Sequence, residues 1–134
     1  MSSLTIRQLL EQRVSAMTPA LATAWENVPF EPPDAPWQDV TLQLDAPIRP
    51  TFGDSFWRQR GHLQVLLVYP LNTGTAAVMA RAELIRTTFP QGLTLVSGSV
   101  RILLETNAEI ARGRELSGWY QVPVTIPFTA DINA

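Results

Sequence analysis

The single histidine, His62, is the side chain best suited to acid–base or metal chemistry in this 134-residue chain. The chain has no second His and no Cys to share a metal ion with it. Serine-based catalysis would need a serine in a sharp strand-to-helix turn flanked by glycines. None of the candidate serines occupies such a sequence; they are Ser55, Ser97, Ser99 and Ser117. The residues therefore predict no catalytic site, no metal site and no cofactor.

A second place for chemistry is the turn Asn72–Thr75, which follows an apolar strand and opens a helix. Backbone N–H groups at such a helix start can bind phosphate. The turn has one glycine and no lysine, so it matches neither the phosphate loop of nucleotide hydrolases nor the dinucleotide fingerprint. A small ligand-binding domain using this turn stays open as an alternative, against which stands the lack of convergent titratable groups.

Charged residues are concentrated in Glu105–Gly118, which we predict as a long loop between two strands. Loops of this length without secondary structure are often functional. A solvated loop is a simpler interpretation than a paired-carboxylate site, and its mixed charges suit a protein contact that must be oriented correctly. A mobile hairpin tip without a partner is the alternative. The net charge of −2 argues against nucleic acid as the partner.

A strand and a helix at the centre of the chain must position these groups. The segment Leu63–Tyr69 is apolar and β-branched, which predicts a buried strand. From Thr75 the apolar period changes to about 3.6, which predicts a helix that ends near Phe89-Pro90. Its buried stripe is predicted to be Val78, Ala82, Ile85 and Phe89.

The N-terminal third adds a helix and a proline-rich arm. Ser3–Met17 is amphipathic, with a capping box at Thr5–Gln8 and the stripe Ile6, Leu9, Leu10, Val14 and Met17. A short strand is predicted at Ala22–Trp25. Four prolines in the segment 27–36 favour a semi-rigid extended arm over the molecule's own surface or a neighbouring subunit.

Alternating residues predict the remaining strands. They are Trp37–Leu44, Leu93–Val96, Ser99–Leu104 and Trp119–Phe128, the last placed at a sheet edge because Pro123 and Pro127 share one parity. The whole predicts one α+β domain spanning 1–134, with a mixed, mainly antiparallel sheet and two helices packed on one face. We expect a shared core of Leu66, Val68, Ile85, Phe89, Val122 and Val124.

Three stretches, taken in order, resemble a known family. They are Ala24–Pro33 (AWENVPFEPP), Arg60–Pro70 (RGHLQVLLVYP) and Trp119–Phe128 (WYQVPVTIPF). With the capped first helix and the helix ending at Phe89, they resemble the tail terminator proteins of long-tailed, non-contractile, lambda-like phages. The resemblance covers most of the chain but includes no catalytic signature.

The resemblance implies a structural protein rather than an enzyme. Its subunits would form a six-membered ring that caps the tail tube, ends its polymerisation and joins the head. The implied partners are further copies of the chain, the tail tube protein and a head–tail connector protein. A different head–tail connector or minor tail protein of similar fold is the alternative.

Aromatic–arginine composition and the charged segment suggest where contacts form. The candidate subunit or tube interface residues are Phe52, Trp57, Arg58, Arg60, Glu109, Arg112, Arg114 and Glu115. No apolar run is long enough to span a bilayer, and the N-terminus lacks a signal-peptide pattern. We therefore expect no membrane partner, assembly in the host cytoplasm and a final place in the virion tail.

Overall fold

The computed structural model describes residues 2–48 and 56–133, which form two helices and eight strands. The helices are α1 (Ser2–Ser15) and α2 (Ala76–Thr88). The strands are β1 (Ala22–Trp25), β2 (Trp37–Leu44), β3 (Phe56–Pro70), β4 (Thr94–Ser97), β5 (Val100–Leu103), β6 (Glu109–Ile110), β7 (Arg114–Leu116) and β8 (Trp119–Asn133).

One mixed sheet contains these strands, in the order β1-β2-β3-β8-β5-β4, with β6 and β7 also paired to β8. β1 and β2 are parallel, and the other neighbouring pairs are antiparallel. β3 and β8 are 15 residues long and pair throughout, from Phe56 opposite Asn133 to Pro70 opposite Trp119. The predicted α+β class with a mixed, mainly antiparallel sheet is confirmed.

β8 is a central strand, so its predicted place at a sheet edge is wrong. It pairs with β3 on one side and with β5, β6 and β7 on the other. The carbonyl oxygen of Pro123 accepts a hydrogen bond from the Ala111 N–H at 2.9 Å. Since the N–H and C=O of one residue in an antiparallel strand point to the same neighbour, the missing donor of Pro123 does not weaken the β3–β8 ladder. Pro127 lies between the stretches of β8 that pair with β6 and β5.

The segment Glu105–Gly118 is not the unstructured loop that its composition predicts, because β6 and β7 both pair with β8. On β8 one residue, Val122, separates Pro123 from Gln121, whereas two residues, Arg112 and Gly113, separate their partners Ala111 and Arg114. The extra residue forms a β-bulge between β6 and β7. Ser117 and Gly118 then close the β7–β8 hairpin with φ values of 53° and 81°. Positive φ at both positions is the signature of a type I′ turn.

The core lies between one face of the sheet and both helices. We call this face the helix side and the other the open face. The predicted stripe of α2 is confirmed, with each of its four residues at most 1% exposed. These side chains and the buried stripe of α1 form one cluster with alternate residues of the central strands, namely Leu63, Val65, Leu67, Val122, Val124 and Ile126.

The predicted phase of β3 is wrong. Leu66 is half-buried on the open face, whereas its neighbours Val65 and Leu67 are fully buried on the helix side. Val68 is fully buried but lies outside the main cluster, in register with Trp37. Every residue from 65 to 69 is apolar, so alternation could not choose between the two phases. The other predicted core residues, Ile85, Phe89, Val122 and Val124, are confirmed.

α1 packs as predicted but begins earlier. Ile6, Leu10, Val14 and Met17 are buried, and Leu9 packs against the core. Because the helix begins at Ser2, Thr5 lies inside it rather than at its N-cap, and the predicted capping position is wrong.

Candidate interaction surface

His62 lies on the open face, half-buried, opposite Gln43 of β2 and Pro127 of β8. The candidate serines Ser97, Ser99 and Ser117 lie near the two ends of β8. The Ser99 carbonyl accepts a hydrogen bond from the N–H of Asn133, which lies six residues, or about 20 Å, along β8 from Pro127. Ser117 lies just before the other end of β8. Ser55 lies outside the described residues. None of these three candidate serines can therefore form a catalytic pair with His62.

The part of the chain that the structure describes, residues 2–48 and 56–133, contains no group of three or more His, Cys, Asp or Glu side chains placed to hold a metal ion. None of its helices is long and apolar enough to cross a membrane.

The turn Asn72–Thr75 uses its polar groups locally. The Thr73 hydroxyl donates to the Pro70 carbonyl at 2.9 Å, and Asn72 and Gly74 reverse the chain with positive φ values of 63° and 78°. Thr75 is the N-cap residue of α2 but makes no side-chain capping bond. The geometry accounts for the connection of β3 to α2 without a ligand.

An open groove of about 850 Å³ runs between α1 and the end of β1. Arg7 lines this groove and pairs with Glu11 and with Glu26, each at 3.1 Å. Glu26 Oε1 also accepts from the Leu42 N–H at 2.6 Å. That hydrogen bond is the largest cause of the lowered pKa of the Glu26 carboxyl. Partial burial opposes this lowering of the pKa, and Arg7 adds to it. Glu26 thus caps the edge of β2 just past β1, and these charges satisfy one another.

The first group of predicted interface residues lies at the start of β3. Arg58 Nε donates to Asp131 Oδ1 on β8 at 2.8 Å, and its guanidinium lies 5.6 Å from the Phe56 ring centroid. Trp57 is half-buried. Arg60 is exposed and lines a hollow of about 310 Å³ with Asp45 and Glu105. Phe52 lies outside the described residues.

The second group lies at the opposite side of β8. Glu109, Arg112, Arg114 and Glu115 are all exposed, and none of them forms an ion pair with another described residue. Glu109 and Arg114 are in register with Thr125 and Gln121, which places them on the open face. Glu115 is in register with Tyr120 and lies on the helix side.

The structure does not bring the two groups together. Arg60 is in register with Thr129, whereas Glu109 is in register with Thr125, four residues or about 13 Å along β8 and on its other flank. They form two surfaces, which suits a subunit with more than one contact.

The proline-rich arm is anchored on the molecule's own sheet. Phe30 packs on Trp37 at a centroid distance of 5.1 Å, and Trp37 meets Trp119 edge-on at 6.3 Å. Glu31 and Asp34 of the arm are exposed and form no ion pair within the described residues. The carboxyl of Asp39 lies nearby on β2, and its pKa is raised by burial and by the charge of Glu26.

Arg81 is a buried charge that sequence patterns did not identify. It is 5% exposed on α2, and its Nη1 donates to the Pro19 carbonyl. Burial lowers the pKa of Arg81, and its Nε and Nη2 have no partner within the described chain. The sequence signal for this burial was the position of Arg81 on the apolar stripe of α2, three residues after Val78 and beside Ala82. The Arg81 side chain ties the α1–β1 connection to α2.

Comparison with known proteins settles the family. The model of the phage tail terminator protein family matches residues 5–128. The chain belongs to that family. A solved structure is similar over 100% of this chain and 97% of its own, at 28% sequence identity and a TM-score of 0.78. No functionally curated protein matches the chain.

Family membership gives the chain a structural role in phage tail assembly, as a component of the virion tail. This agrees with the geometry of the described residues, in which exposed charges and unpaired strand edges are prominent and titratable groups do not converge. The resemblance inferred from the three sequence stretches is confirmed.

His62→Ala is expected to leave tail completion near the wild-type level, because His62 has uncharged neighbours in β2 and β8. The measurement is complementation of a phage that lacks this protein, scored by infectious particles. Circular dichroism checks that the variant is folded. A folded His62→Ala protein that fails to complete tails would show that this residue has a functional role.

Proposed function

We propose that copies of this chain form a closed, six-membered ring that caps the tail tube, stops its polymerisation and provides the surface for head joining. The observation that carries the proposal is a pair of sheet edges, on opposite sides of the domain, that no other described strand pairs with. β1 lies at one edge, and β4, β6 and β7 lie at the other. A closed ring repeats one head-to-tail contact, so each subunit needs two different contact patches.

Unpaired strand edges are places where a sheet can pair with another chain. Two arginine-containing surfaces are available: Glu109–Glu115 lies at the second of these edges, and Trp57–Arg60 lies on β3, where Arg58 is bridged to Ile48. We propose them as contacts with neighbouring subunits or with the tail tube protein, and a head–tail connector protein as the partner on the head side. The protein would assemble in the host cytoplasm, with no membrane partner and no reading of nucleic acid sequence.

The proposal is tested by imaging tails made without this protein. We expect overlong tubes in its absence and normal tails when the protein is supplied, because the cap would be the step that ends polymerisation. Electron microscopy of negatively stained lysates gives the distribution of tube lengths. Native mass spectrometry of concentrated protein, and of protein bound to tube ends, gives the number of subunits.

Two outcomes would contradict the proposal. One is tubes of normal length that lack heads, which would instead indicate a connector or minor tail protein. The other is a concentrated and tube-bound sample containing only monomers or two-fold dimers. A monomer in dilute solution alone agrees with the proposal if the tube end acts as the template.

A further inference from the structure

The proline-rich arm, residues 27–36, carries carboxylates and no basic residue. Glu31 and Asp34 are exposed, and neither forms an ion pair within the described residues. Asp39 follows on the open face of β2, where burial and the charge of Glu26 raise the pKa of its carboxyl. The arm and the start of β2 therefore form an acidic surface that the described chain does not neutralise.

The arm is held on the open face of the sheet, near one edge. Phe30 packs on Trp37 of β2, and the four prolines of the arm restrict its backbone to extended conformations. Since β1 is the only described strand beyond β2, Trp37 lies one strand spacing, or about 5 Å, inside that edge. A segment that is already extended and anchored loses little conformational freedom when it binds a partner.

The β7–β8 hairpin at the opposite edge carries positive charge. Arg112 and Arg114 are exposed, and neither forms an ion pair within the described residues. Arg114 and Leu116 lie on the open face, opposite Gln121 and Trp119 of β8, and Leu116 is 47% exposed. The hairpin thus presents unpaired arginine beside an exposed apolar side chain.

Two carboxylates share this edge but point elsewhere or lie at a distance. Glu115 follows Arg114 but lies on the helix side, and Glu109 is four residues, or about 13 Å, from Arg114 by register. The Tyr120 ring lies so close to the backbone of Gly113 that a Cβ there would overlap it. This contact fixes the chain on the N-terminal side of Arg114, so the hairpin, like the arm, is a preformed surface.

The arm and the hairpin lie on the same face and at the same end of the sheet. Trp37, just after the arm, and Arg114 belong to one register row, in which three strand spacings, about 14 Å, separate them. A second copy set beside the first in the same orientation brings the arm of one chain to the hairpin of the next. A two-fold contact between edges would instead join each edge to a second copy of itself, with no arm facing a hairpin.

We propose that the proline-rich arm of one copy binds the β7–β8 hairpin of the next, with Glu31 and Asp34 facing Arg112 and Arg114 and the prolines packed near Leu116. The occupant is another copy of this chain, because the chain itself supplies both an acidic segment without basic residues and the arginines that complement it. Arginine and carboxylate groups form the stronger, charge-assisted hydrogen bonds. This inference rests on the proposed ring and identifies a contact that would repeat around it.

Charge reversal tests the contact. The hairpin variant, Arg112→Glu with Arg114→Glu, and the arm variant, Glu31→Arg with Asp34→Arg, are each expected to weaken ring assembly at least about tenfold, because like charges then face each other. The variant with all four substitutions is expected to recover assembly. Glu83→Arg is the control, since Glu83 is exposed on α2, which covers the other face. Sedimentation velocity over a range of concentrations measures association, and circular dichroism shows that each variant is folded.

Mixing the hairpin variant with the arm variant tests whether the contact is head-to-tail. Each arm in the mixture then finds a hairpin of opposite charge only on the other variant. We expect the mixture to recover assembly and to form rings that contain equal numbers of the two variants, which native mass spectrometry resolves. Pairs made of one copy of each variant, without larger species, would indicate a two-fold contact between open faces and would overturn the proposal.

The outcomes separate this inference from the proposed function. If the wild-type protein forms no ring in solution or on tube ends, the proposed function fails and this contact fails with it. If the wild-type ring forms and both folded variants assemble as well as the wild type, the contact lies elsewhere and only this inference is wrong. Weakened variants that are rescued neither by mixing nor by combining the four substitutions would also contradict the pairing of arm with hairpin.

Discussion

Replacing Leu67 by Ala is expected to lower the free energy of unfolding by roughly 2–5 kcal/mol. Leu67 is 0% exposed near the centre of the sheet, between Gln38 of β2 and Val122 of β8, and belongs to the cluster beneath both helices. Removal of its isobutyl group would leave a cavity that the paired strands cannot close. Urea unfolding followed by circular dichroism gives the midpoint and the slope.

Leu66→Ala is the matched control, because the same atoms are removed one residue away on the open face. Leu66 is half-buried and lies outside the cluster, so we expect a loss of about 1 kcal/mol or less. Both variants are measured in the same assembly state, since association adds to apparent stability. Equal losses, or a larger loss for Leu66→Ala, would reverse the assignment of the two faces.

The comparison of these leucines shows where sequence reasoning succeeds and fails. The period of α2 identified its buried stripe because polar residues interrupt the apolar ones on the outer side of that helix. Val65–Tyr69 has no such interruption, so its strand was predictable but its phase was not. The phase depends on β2 and β8, whose register with β3 is set by packing between distant segments.

β8 failed for a related reason. Proline is rare in the centre of sheets because it removes a donor, and two prolines therefore predicted an edge. The structure places Pro123 and Pro127 toward the flank where short strands succeed one another. A central strand can contain these prolines because the strands that pair with it on this flank, β5, β6 and β7, are short and separated by gaps. The gaps are encoded in residues 104–113, outside β8.

The candidate contact surface was only partly predictable. Exposed arginines and glutamates between 109 and 115 were found from composition alone, but β6 and β7 were not. Asp39 and Arg114 are 75 positions apart, and only the sheet order and register place Arg114 on an edge strand, Asp39 one strand inside the other edge, and both on one face. The strand alternation of Trp37–Leu44 could say that Asp39 faces away from the core, not that it lies one strand from an edge.

Gly61→Ala is expected to cost roughly 1–3 kcal/mol, because the added methyl group has no room. Gly61 lies opposite Leu44, the last residue of β2. A Cβ there would overlap the backbone carbonyl of Gln43 and lie 3.1 Å from the Phe128 ring. A carbonyl held in a sheet cannot swing away as a flexible side chain could, so we expect the end of β2 to separate from β3.

The sign of this effect identifies its cause. Ala in place of Gly reduces the freedom of the unfolded chain and stabilises a protein by about 0.4–1 kcal/mol where it fits, so a net loss reports the overlap. Gly98→Ala is the control, because a Cβ there meets no atom within 4 Å and the cost comes from its φ of 57° alone. Hydrogen exchange separates the two: Gly61→Ala should expose amides of β2 and β3, and Gly98→Ala only those of the β4–β5 turn. Unchanged protection of β2 in a folded Gly61→Ala protein would mean that the strands accommodate the methyl group, and that close approach is not the reason for glycine at this position.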